Sequence, residues 1–489
     1  MKQIYVLLIT CFLFFNVNAQ TQIGGDIDGE STIDQSGYAV SLSANGSILA
    51  VGAPVNSDNG SAAGHVRIFQ NQNDSWIQLG TDIDGLGAND FFGLSVSLSA
   101  TGNRVAIGAP ESNTGNTGYV TVLDFENNTW VQVGNIIQGE NPGDFFGWSV
   151  SLSSDGNTLV VGAPGNSDNG SFAGHVRIYE FQNDSWVQIV GDIDSEAMGD
   201  EFGRSTALSD NGEFLAVGAV TNDGNGIDSG HVRIYEFQNG SWVQIGQDID
   251  GENAGDWFGR SVSLSTQGDR IAVGGIFNSD NGLNSGHVRI FELQNNSWVQ
   301  IGADIDGISE NEQTGVSVDL SSDGNVVVIS APGNSTNGNL SGQVRIFEYV
   351  NNNWEQIGIP INGEGANDEF GFALSLSSNS QYLAIGAPVN SGNGFASGHV
   401  RVYNISALLS VKEINTSNFK LYPNPTRDQF TIQVDNPSEI IEVKIFNDLG
   451  QLVLTSKETT VNTSRLVPGL YMIEVETSGG KVLKKLIVE

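Results

Sequence analysis

The stretch FFGLSVSLSATGNRVAIGAP at residues 91–110 returns almost unchanged as FFGWSVSLSSDGNTLVVGAP at residues 145–164. Both belong to a unit that opens with QIG or a close variant and recurs along the chain. Self-similarity at a fixed period is the mark of a repeat architecture. Five of the six spacings between the opening glutamines are 56 residues and one is 54, the glutamines being Gln22, Gln78, Gln132, Gln188, Gln244, Gln300 and Gln356.

Each unit contains four short segments with strand character. They are the alternating FGxSVSLS segment, the β-branched run before GAP, the HVRIFE segment and the SWVQIG segment. Clusters of Gly, Asn, Asp and Ser separate them and favour turns. The sequence therefore predicts an all-β fold, in which residues 20–409 form a seven-bladed β-propeller with four-stranded blades.

The repeat starts and ends out of phase with the blade. Residues 21–27 are equivalent to the fourth strand of a unit, whereas the last unit stops after its third strand at residues 399–405. We therefore expect the N-terminal strand to complete the last blade. This closure would remove the open sheet edges that invite aggregation.

The FFGLSVSLS and VAIGAP segments resemble FG-GAP repeats, the family that forms the seven-bladed head of integrin α chains and occurs in many bacterial surface proteins. The resemblance covers the whole repeat region. Integrin-type repeats often carry a DxDxDG calcium loop between the FG and GAP strands. Here that connection is a short turn such as residues 153–157, so integrin-like calcium sites are not expected.

The first residues have the pattern of an export signal. Lys2 precedes an apolar run over residues 4–15, and the small residue Ala19 provides a cleavage site. This predicts a signal peptide over residues 1–19, cleaved after Ala19. The single cysteine, Cys11, lies within it, so we expect no disulfide in the mature protein. No later stretch reaches the roughly 20 apolar residues of a transmembrane helix.

The repeat region is strongly acidic. Residues 3–411 contain ten arginines, no lysine and 46 aspartates and glutamates. Such a surface repels nucleic acid and anionic lipid, and it admits cations or basic partners. Acidity also maintains solubility without any ligand, so charge alone does not identify a partner.

Three residue types recur at fixed positions in the repeat. We interpret the histidines and tryptophans as packing residues, and the arginines as inter-blade residues held by carboxylates or carbonyls. The histidines are His65, His175, His231, His287 and His399, the arginines Arg67, Arg177, Arg233, Arg289, Arg345 and Arg401, and the tryptophans Trp76, Trp130, Trp186, Trp242, Trp298 and Trp354.

Aspartates cluster in the connection between the fourth strand of one blade and the first strand of the next. This connection shares a face of the propeller with the NSDNG loop, so one rim is rich in oxygen ligands of the kind that calcium prefers. Asx turns are the alternative explanation. The candidate calcium ligands are Asp82, Asp84, Asp90, Asp192, Asp194, Asp200, Asp248, Asp250 and Asp256.

The loops argue against catalysis. A single reacting centre needs unlike groups that converge on one point, whereas the interval from the QIG glycine position to the FG glycine position is 13 residues in every copy. The sequence shows no unique histidine and no nucleophile with a plausible base. We therefore predict that the protein is not an enzyme.

After a polar linker at residues 410–418, the composition changes, and residues 419–489 are predicted to form a small β-sandwich. This segment resembles the type A sorting domain of the type IX secretion system of Bacteroidota. The resemblance implies export through the periplasm, then release or attachment to surface lipopolysaccharide, with the type IX machinery as partner. The motif residues are Tyr422, Pro423, Asn424, Pro425, Gly469, Tyr471, Lys484 and Lys485.

Three functions remain open at this point. The first is a surface or secreted binding and adhesion module, whose repeated acidic rim contacts a glycan, a protein or a cation-bridged ligand through weak sites that gain by repetition. The second is a structural envelope or matrix protein without a discrete ligand. The third is a hydrolase or lyase, which would need unlike polar residues in the central channel.

Overall fold

The computed structural model describes residues 20–111, 117–410, 420–433, 440–447, 452–477 and 480–488. The chain divides into two compact units, the first ending at Leu408 and the second beginning at Leu409. The predicted cleavage site after Ala19 and most of the predicted linker lie outside the described residues. Within the described ranges, no helix is long and apolar enough to cross a membrane.

In the described residues, the first unit contains seven sheets whose strands pair antiparallel. Each sheet, or blade, corresponds to one repeat, and its four main strands pair in chain order in six blades, whereas the N-terminal strand takes the fourth place in the last blade. The first strands are Ala39–Leu42, Ser95–Leu98, Ser149–Leu152, Phe202–Leu208, Phe258–Leu264, Val318–Leu320 and Ala373–Leu376. The second strands are Ile48–Ala53, Arg104–Ala109, Thr158–Ala163, Phe214–Ala219, Arg270–Gly275, Val326–Ala331 and Tyr382–Ala387.

The outer half of each blade holds the third and fourth strands. The third strands are His65–Asn71, Tyr119–Glu126, His175–Gln182, His231–Gln238, His287–Gln294, Gln343–Val350 and His399–Asn404. The fourth strands are Trp76–Gln78, Thr129–Gln132, Ser185–Gln188, Ser241–Gln244, Ser297–Gln300, Asn353–Asn362 and, in the last blade, Thr21–Gln22. The predicted all-β, propeller-like fold is confirmed.

A short extra strand follows the fourth strand and pairs with the third. Ile193 lies opposite Val176, and Asp194 opposite His175. This pairing places the second aspartate of each DID segment beside the repeated histidine. The extra strands are Ile27–Asp28, Ile83–Asp84, Ile137–Gln138, Ile193–Asp194, Ile249–Asp250 and Ile305–Asp306, and in the sixth blade the long fourth strand takes this place.

The last blade combines both ends of the repeat region. Thr21 lies opposite Asn404, and Ile27 opposite Val400. The N-terminal segment therefore completes the sheet of the last repeat, as the phase of the repeat predicts. A short helix, Ser406–Ser410, follows this blade.

The FG and GAP glycines form two sides of one contact between neighbouring blades. A Cβ on Gly162, in the GAP segment, would lie 2.1 Å from the carbonyl oxygen of Gly203, the FG glycine of the next blade. Gly203 has φ of 90°, a conformation that favours glycine. The hydroxyl of Ser149 donates to the same carbonyl at 2.9 Å. Close backbone approach thus explains the glycine of the GAP motif in six blades, the exception being Ser330 of the sixth blade.

The repeated tryptophans join the outer strands of neighbouring blades. The indole N–H of Trp186 donates to the carbonyl oxygen of Val133 in the preceding blade at 3.1 Å. The same bond recurs for Trp76, Trp130, Trp298 and Trp354. A buried indole with a bonded N–H is a packing residue, which agrees with the interpretation made from the repeat.

The second unit contains two small sheets in its described residues. One has Lys420–Tyr422, Gln429–Gln433 and Thr460–Asn462, and the other has Ile440–Phe446, Leu452–Ser456, Gly469–Thr477 and Gly480–Val488. Phe430 and Ile432 of the first sheet share a buried cluster with Ile445 and Ile473 of the second. The unit is therefore a small β-sandwich.

Candidate functional site

The first strands of the blades contact one another in a closed ring around a central channel. The channel contains a cavity of about 340 Å³. Its middle is lined by small residues whose hydroxyls are already used, because Ser205 donates to the Gly259 carbonyl at 2.7 Å and Ser261 to the Gly315 carbonyl at 2.8 Å. The middle of the channel therefore holds blades together and offers few groups to a ligand.

One end of this cavity is chemically different. It is formed by the residue that follows the FG glycine in each blade, and we call these seven residues the channel mouth. Although the neighbouring positions repeat, this one does not: two residues are arginines, three are aromatic and two are aliphatic. In chain order they are Tyr38, Leu94, Trp148, Arg204, Arg260, Val316 and Phe372.

The side chains of the channel mouth pack against one another across blades. The rings of Tyr38 and Phe372 lie 4.7 Å apart between centroids, and the Arg204 guanidinium lies 4.3 Å from the centroid of the Trp148 ring. Arg204 also donates to the Glu201 carboxylate at 3.0 Å. The mouth thus combines flat apolar surfaces with cationic groups, which suits a ring-shaped or anionic ligand.

Sequence reasoning missed this site, because it searched each repeat for a unique catalytic group. The channel mouth takes one residue from each of seven segments that are about 56 residues apart. The signal that could have found it was the position after the FG glycine, where seven otherwise similar repeats differ in chemistry.

A second polar site lies between blades at the predicted acidic rim. The Arg177 guanidinium binds both carboxylate oxygens of Asp192, at 3.0 and 2.9 Å, and also contacts Glu140 of the preceding blade. Burial acts to raise the pKa of Asp192, but the bonds from Arg177 and Gln188 hold it below its usual value. Arg177 is thus a buried arginine that pairs with Asp192 of its own blade and with the exposed Glu140 of the preceding blade, which agrees with the role inferred for the repeated arginines.

This arrangement recurs around the propeller. Arg401 binds Asp26 through two bonds of 3.0 Å and contacts Glu364, so it also joins the two ends of the repeat region. Glutamates of the preceding blade lie near the repeated arginine in three further blades, as the pairs Glu30–Arg67, Glu196–Arg233 and Glu252–Arg289.

The repeated histidines lie beside these ion pairs in buried surroundings. His287 is completely buried, and burial lowers its pKa to about 4. Burial also lowers the pKa of His231 to about 4. These imidazoles are therefore neutral at physiological pH, as expected of packing residues.

The predicted calcium ligands fall into two structural groups. Asp90, Asp200 and Asp256 are each 2% exposed and close turns by accepting from a backbone N–H three residues earlier, at 2.8, 3.1 and 2.9 Å. The remaining ligands belong to the DID segments. Asp82, Asp192 and Asp248 accept from the side chains of Gln78, Gln188 and Gln244, and Asp84, Asp194 and Asp250 lie at the surface.

The structure brings two of these aspartates together with a histidine. His175, Asp192 and Asp194 offer ligand atoms within 4.8 Å of one another, and Asp82 forms a similar group with Glu30 and His65. Calcium prefers six to eight oxygen ligands, whereas Arg177 already neutralises Asp192. The calcium site stays a prediction.

One carboxylate in the inner strands breaks the repeat. Asp319 stands where five other blades have serine, and it accepts from the Leu376 backbone N–H at 2.7 Å and from the Ser263 hydroxyl at 3.0 Å. The serines accept the equivalent backbone bond, as Ser97 does from Leu152 at 3.0 Å. Burial raises the pKa of Asp319 to about 6.

We expect Asp319→Ser to raise the free energy of unfolding by about 2 kcal/mol at pH 7.5. The raised pKa means that the folded state disfavours the carboxylate, so this penalty is full above pH 6 and disappears below about pH 4. Urea unfolding of the wild type and the variant at pH 7.5 and below about pH 4 measures the difference in the free energy of unfolding. The reciprocal change Ser97→Asp is the control and should destabilise the protein at pH 7.5 only. An equal gain for Asp319→Ser at both pH values would contradict the explanation.

The residues of the predicted sorting motif lie in the second unit. The Asn424 side chain donates to the Lys485 carbonyl at 2.8 Å and accepts from the Ile487 backbone N–H at 2.9 Å, so it ties the LYPNP segment to the last strand. Tyr471 is buried and donates to the Val467 carbonyl at 2.7 Å. Tyr422 and Lys485 are exposed.

The remaining motif residues are placed by the same strands. Pro423 and Pro425 flank Asn424 and are exposed, Gly469 starts the strand that contains Tyr471, and Lys484 is partly buried in the last strand. The motif is therefore partly structural, because its two ends meet at one edge of the sandwich.

Comparisons with known proteins match these two units. A family model for the FG-GAP repeat matches residues 130–179, 194–235 and 249–291, and one for the secretion system C-terminal sorting domain matches residues 420–489. A curated relative, the ulvan lyase NLR42 of Nonlabens ulvanivorans, is 42% identical over 89 residues, which cover 17% of this chain and 16% of the relative.

Two solved structures are similar, and the description of each reads "putative 6-phosphogluconolactonase". The one from Bacteroides fragilis has a TM-score of 0.47 at 14% identity and covers 67% of this chain and 85% of its own. The one from Bacteroides uniformis has a TM-score of 0.46 at 12% identity and covers 87% and 95%. The family matches lead to a direct conclusion: residues 130–291 carry FG-GAP repeats, and residues 420–489 belong to the secretion system C-terminal sorting domain family.

Proposed function

We propose that this protein is a non-catalytic binding or adhesion protein of the cell surface or the extracellular medium, and that its ligand, a glycan or a protein, binds at the channel mouth. The sorting domain at residues 420–489 implies secretion and surface export. In this proposal the type IX machinery recognises that domain after the signal peptide has taken the chain to the periplasm.

The observation that carries the binding proposal is the channel mouth. In a propeller whose packing residues repeat from blade to blade, this position alone in the inner strands combines arginine, aromatic and aliphatic residues. Packing does not require that variety, because each blade faces a similar neighbour. A cavity of about 340 Å³ also falls within the range of known ligand pockets.

Two other functions make different predictions. A structural envelope protein would self-associate and show no saturable ligand binding. A hydrolase or lyase would release products from a polysaccharide, and the name of the curated relative from Nonlabens ulvanivorans makes this worth measuring. The relative matches only a small part of this chain, so its activity belongs to that protein.

The export step is tested by comparing the full chain with a chain that ends at residue 409, in a bacterium with a type IX secretion system. We expect the full chain on the cell surface or in the medium, and the shortened chain in the periplasm. The ratio of surface to medium separates attachment from release. Equal export of both chains would contradict the role of residues 420–489.

The binding step is tested by screening the full chain against soluble polysaccharides and surface proteins, with the heat of binding as the signal. We expect saturable binding that Trp148→Leu weakens about tenfold, because leucine already occupies this position in the second blade. The control is Phe172→Leu, since Phe172 is exposed outside the channel. Self-association without saturable binding would favour the structural function, and product release would favour the enzyme.

A further inference from the structure

The channel mouth contains two neighbouring positive charges. Arg204 and Arg260 occupy the same position in adjacent blades, and burial together with the charge of Arg204 lowers the pKa of Arg260. A guanidinium nevertheless remains protonated in proteins. The two charges therefore persist side by side at all accessible pH values.

Arg260 has no counterion in the part of the chain that the structure describes. Among the described residues, its guanidinium has neither an ion pair nor a hydrogen bond. Arg204 uses one nitrogen on Glu201, but its buried Nε has no hydrogen-bond partner in the described part of the chain. Among the described residues, carboxylates thus neutralise the charges of Arg204 and Arg260 only in part.

Two other arginines of the propeller bind carboxylates, whereas Arg345, which has no carboxylate partner among the described residues, donates to the Asp306 carbonyl and the Thr314 hydroxyl. Arg104 binds both carboxylate oxygens of Asp124, at 2.6 and 2.7 Å, and Arg270 donates two bonds to one carboxylate oxygen of Glu292, at 2.9 and 2.7 Å. A chain with 46 acidic residues in its repeat region could readily supply a carboxylate to Arg260 as well. Because an uncompensated charge destabilises a protein, its retention here points to an external anion.

The surroundings of the pair define the size and shape of that anion. The cavity is about 340 Å³, and the rings of Trp148 and of the Tyr38–Phe372 pair border it. Flat aromatic faces offer apolar surface to the C–H face of a ring. The acidic repeats around the channel repel long polyanions, so a ligand with one anionic group at its end fits best.

We propose that the channel mouth binds a saccharide unit that carries a single carboxylate or sulfate group. This inference rests on the proposed binding function and names the ligand class. Arg260, with Arg204 beside it, receives the anionic group, since guanidinium groups form two parallel bonds to carboxylates and similar oxyanions. The aromatic rings contact the sugar ring.

The test is a calorimetric titration of the full chain at low ionic strength with glucuronate, glucose 6-sulfate, glucose and inorganic sulfate. We expect at least one anionic sugar to bind at least tenfold more tightly than glucose and to lose affinity as salt is added. Preference for glucuronate or for glucose 6-sulfate identifies the anionic group. Arg260→Val, which copies the sixth blade, should weaken binding about tenfold or more.

The control variant is Arg104→Gln, which removes the same charge outside the channel and should leave affinity unchanged. Equal affinity for glucose, or unchanged affinity in Arg260→Val, would overturn the inference. Inorganic sulfate that binds as tightly as the sugars would also overturn it, because the ring would then contribute nothing. If the polysaccharide screen shows binding that depends on Trp148 but not on Arg260, the proposed function stands and this inference alone fails.

Discussion

Replacing Phe258 by alanine is expected to lower the free energy of unfolding by about 3–5 kcal/mol, the usual range for a buried phenylalanine. Phe258 is the phenylalanine of an FG motif and is completely buried. Its ring packs edge-on against His287 and Phe291, at centroid distances of 6.0 and 6.4 Å. The loss follows from the apolar contacts removed and from the cavity left between two blades. Urea unfolding monitored by circular dichroism measures it.

The matched control is Phe172→Ala, because Phe172 is 50% exposed and should change stability by less than about 1 kcal/mol. Small residues at the FG position are tolerated where their neighbours differ. Thr314 takes this place in the sixth blade and accepts a bond from Arg345 at 3.2 Å. Equal effects of the two alanine variants would show that the FG phenylalanine does not hold the blades together.

The fold could be predicted because its determinants are local and repeated. The FG glycine, the GAP glycine and the SW tryptophan each act on the adjacent blade, so one unit of sequence contains the information for one interface. The phase of the repeat likewise predicts that the propeller closes, because the chain begins with a fourth strand at Thr21 and the last repeat stops after the third strand that begins at His399. Sequence reasoning was sufficient wherever the same contact is made several times.

The candidate site could not be predicted in the same way. The channel mouth exists only when seven first strands meet, and no segment of the sequence contains more than one of its residues. The lack of a counterion for Arg260 among the described residues is equally invisible in the sequence, because it depends on which carboxylates the fold places elsewhere. Such a site can be recognised in a repeat sequence as a position at which the residues differ in chemistry, although the neighbouring positions repeat.

The acidic rim shows what the spacing of carboxylates leaves open. Carboxylates close in sequence suggest a cation site, but the fold distributes them among different partners. Asp192 binds Arg177, and Asp200 closes a turn on the Ala197 backbone N–H. Arg177 thus provides a positive charge beside Asp192, and the calcium site stays a prediction that spacing alone does not decide.

Acidification from about pH 7 to pH 4.5 is expected to destabilise the propeller through its neutral histidines. The pKa values of His231 and His287 are about 4 in the folded protein and about 6.5 in an unfolded chain. The unfolded state therefore binds more protons between these values, and stability that is complete above pH 6.5 is lost as the pH falls towards 4. Each histidine contributes about 2–3 kcal/mol to this loss.

Carboxylates near the same interfaces act in the opposite direction. Partial burial raises the pKa values of Asp250 and Asp306, and so do the neighbouring charges of Asp248 and Asp304, respectively. Protonation of Asp250 and Asp306 therefore stabilises the folded state at low pH. The total pH dependence of the wild type is therefore smaller than the histidine contribution. Only a comparison with a histidine variant separates the histidine contribution to acid stability from that of the carboxylates.

His287→Gln provides that comparison, because the sixth blade already has Gln343 at this position, bonded to Asn362 at 2.8 Å. We expect the variant to match the wild type within about 1 kcal/mol at pH 7.5 and to be more stable by about 2–3 kcal/mol at pH 4.5. Urea unfolding across this pH range measures the difference. The double variant His231→Gln/His287→Gln should gain about twice as much stability at pH 4.5 as His287→Gln alone. Parallel pH profiles for wild type and variants would mean that these buried imidazoles do not control acid stability.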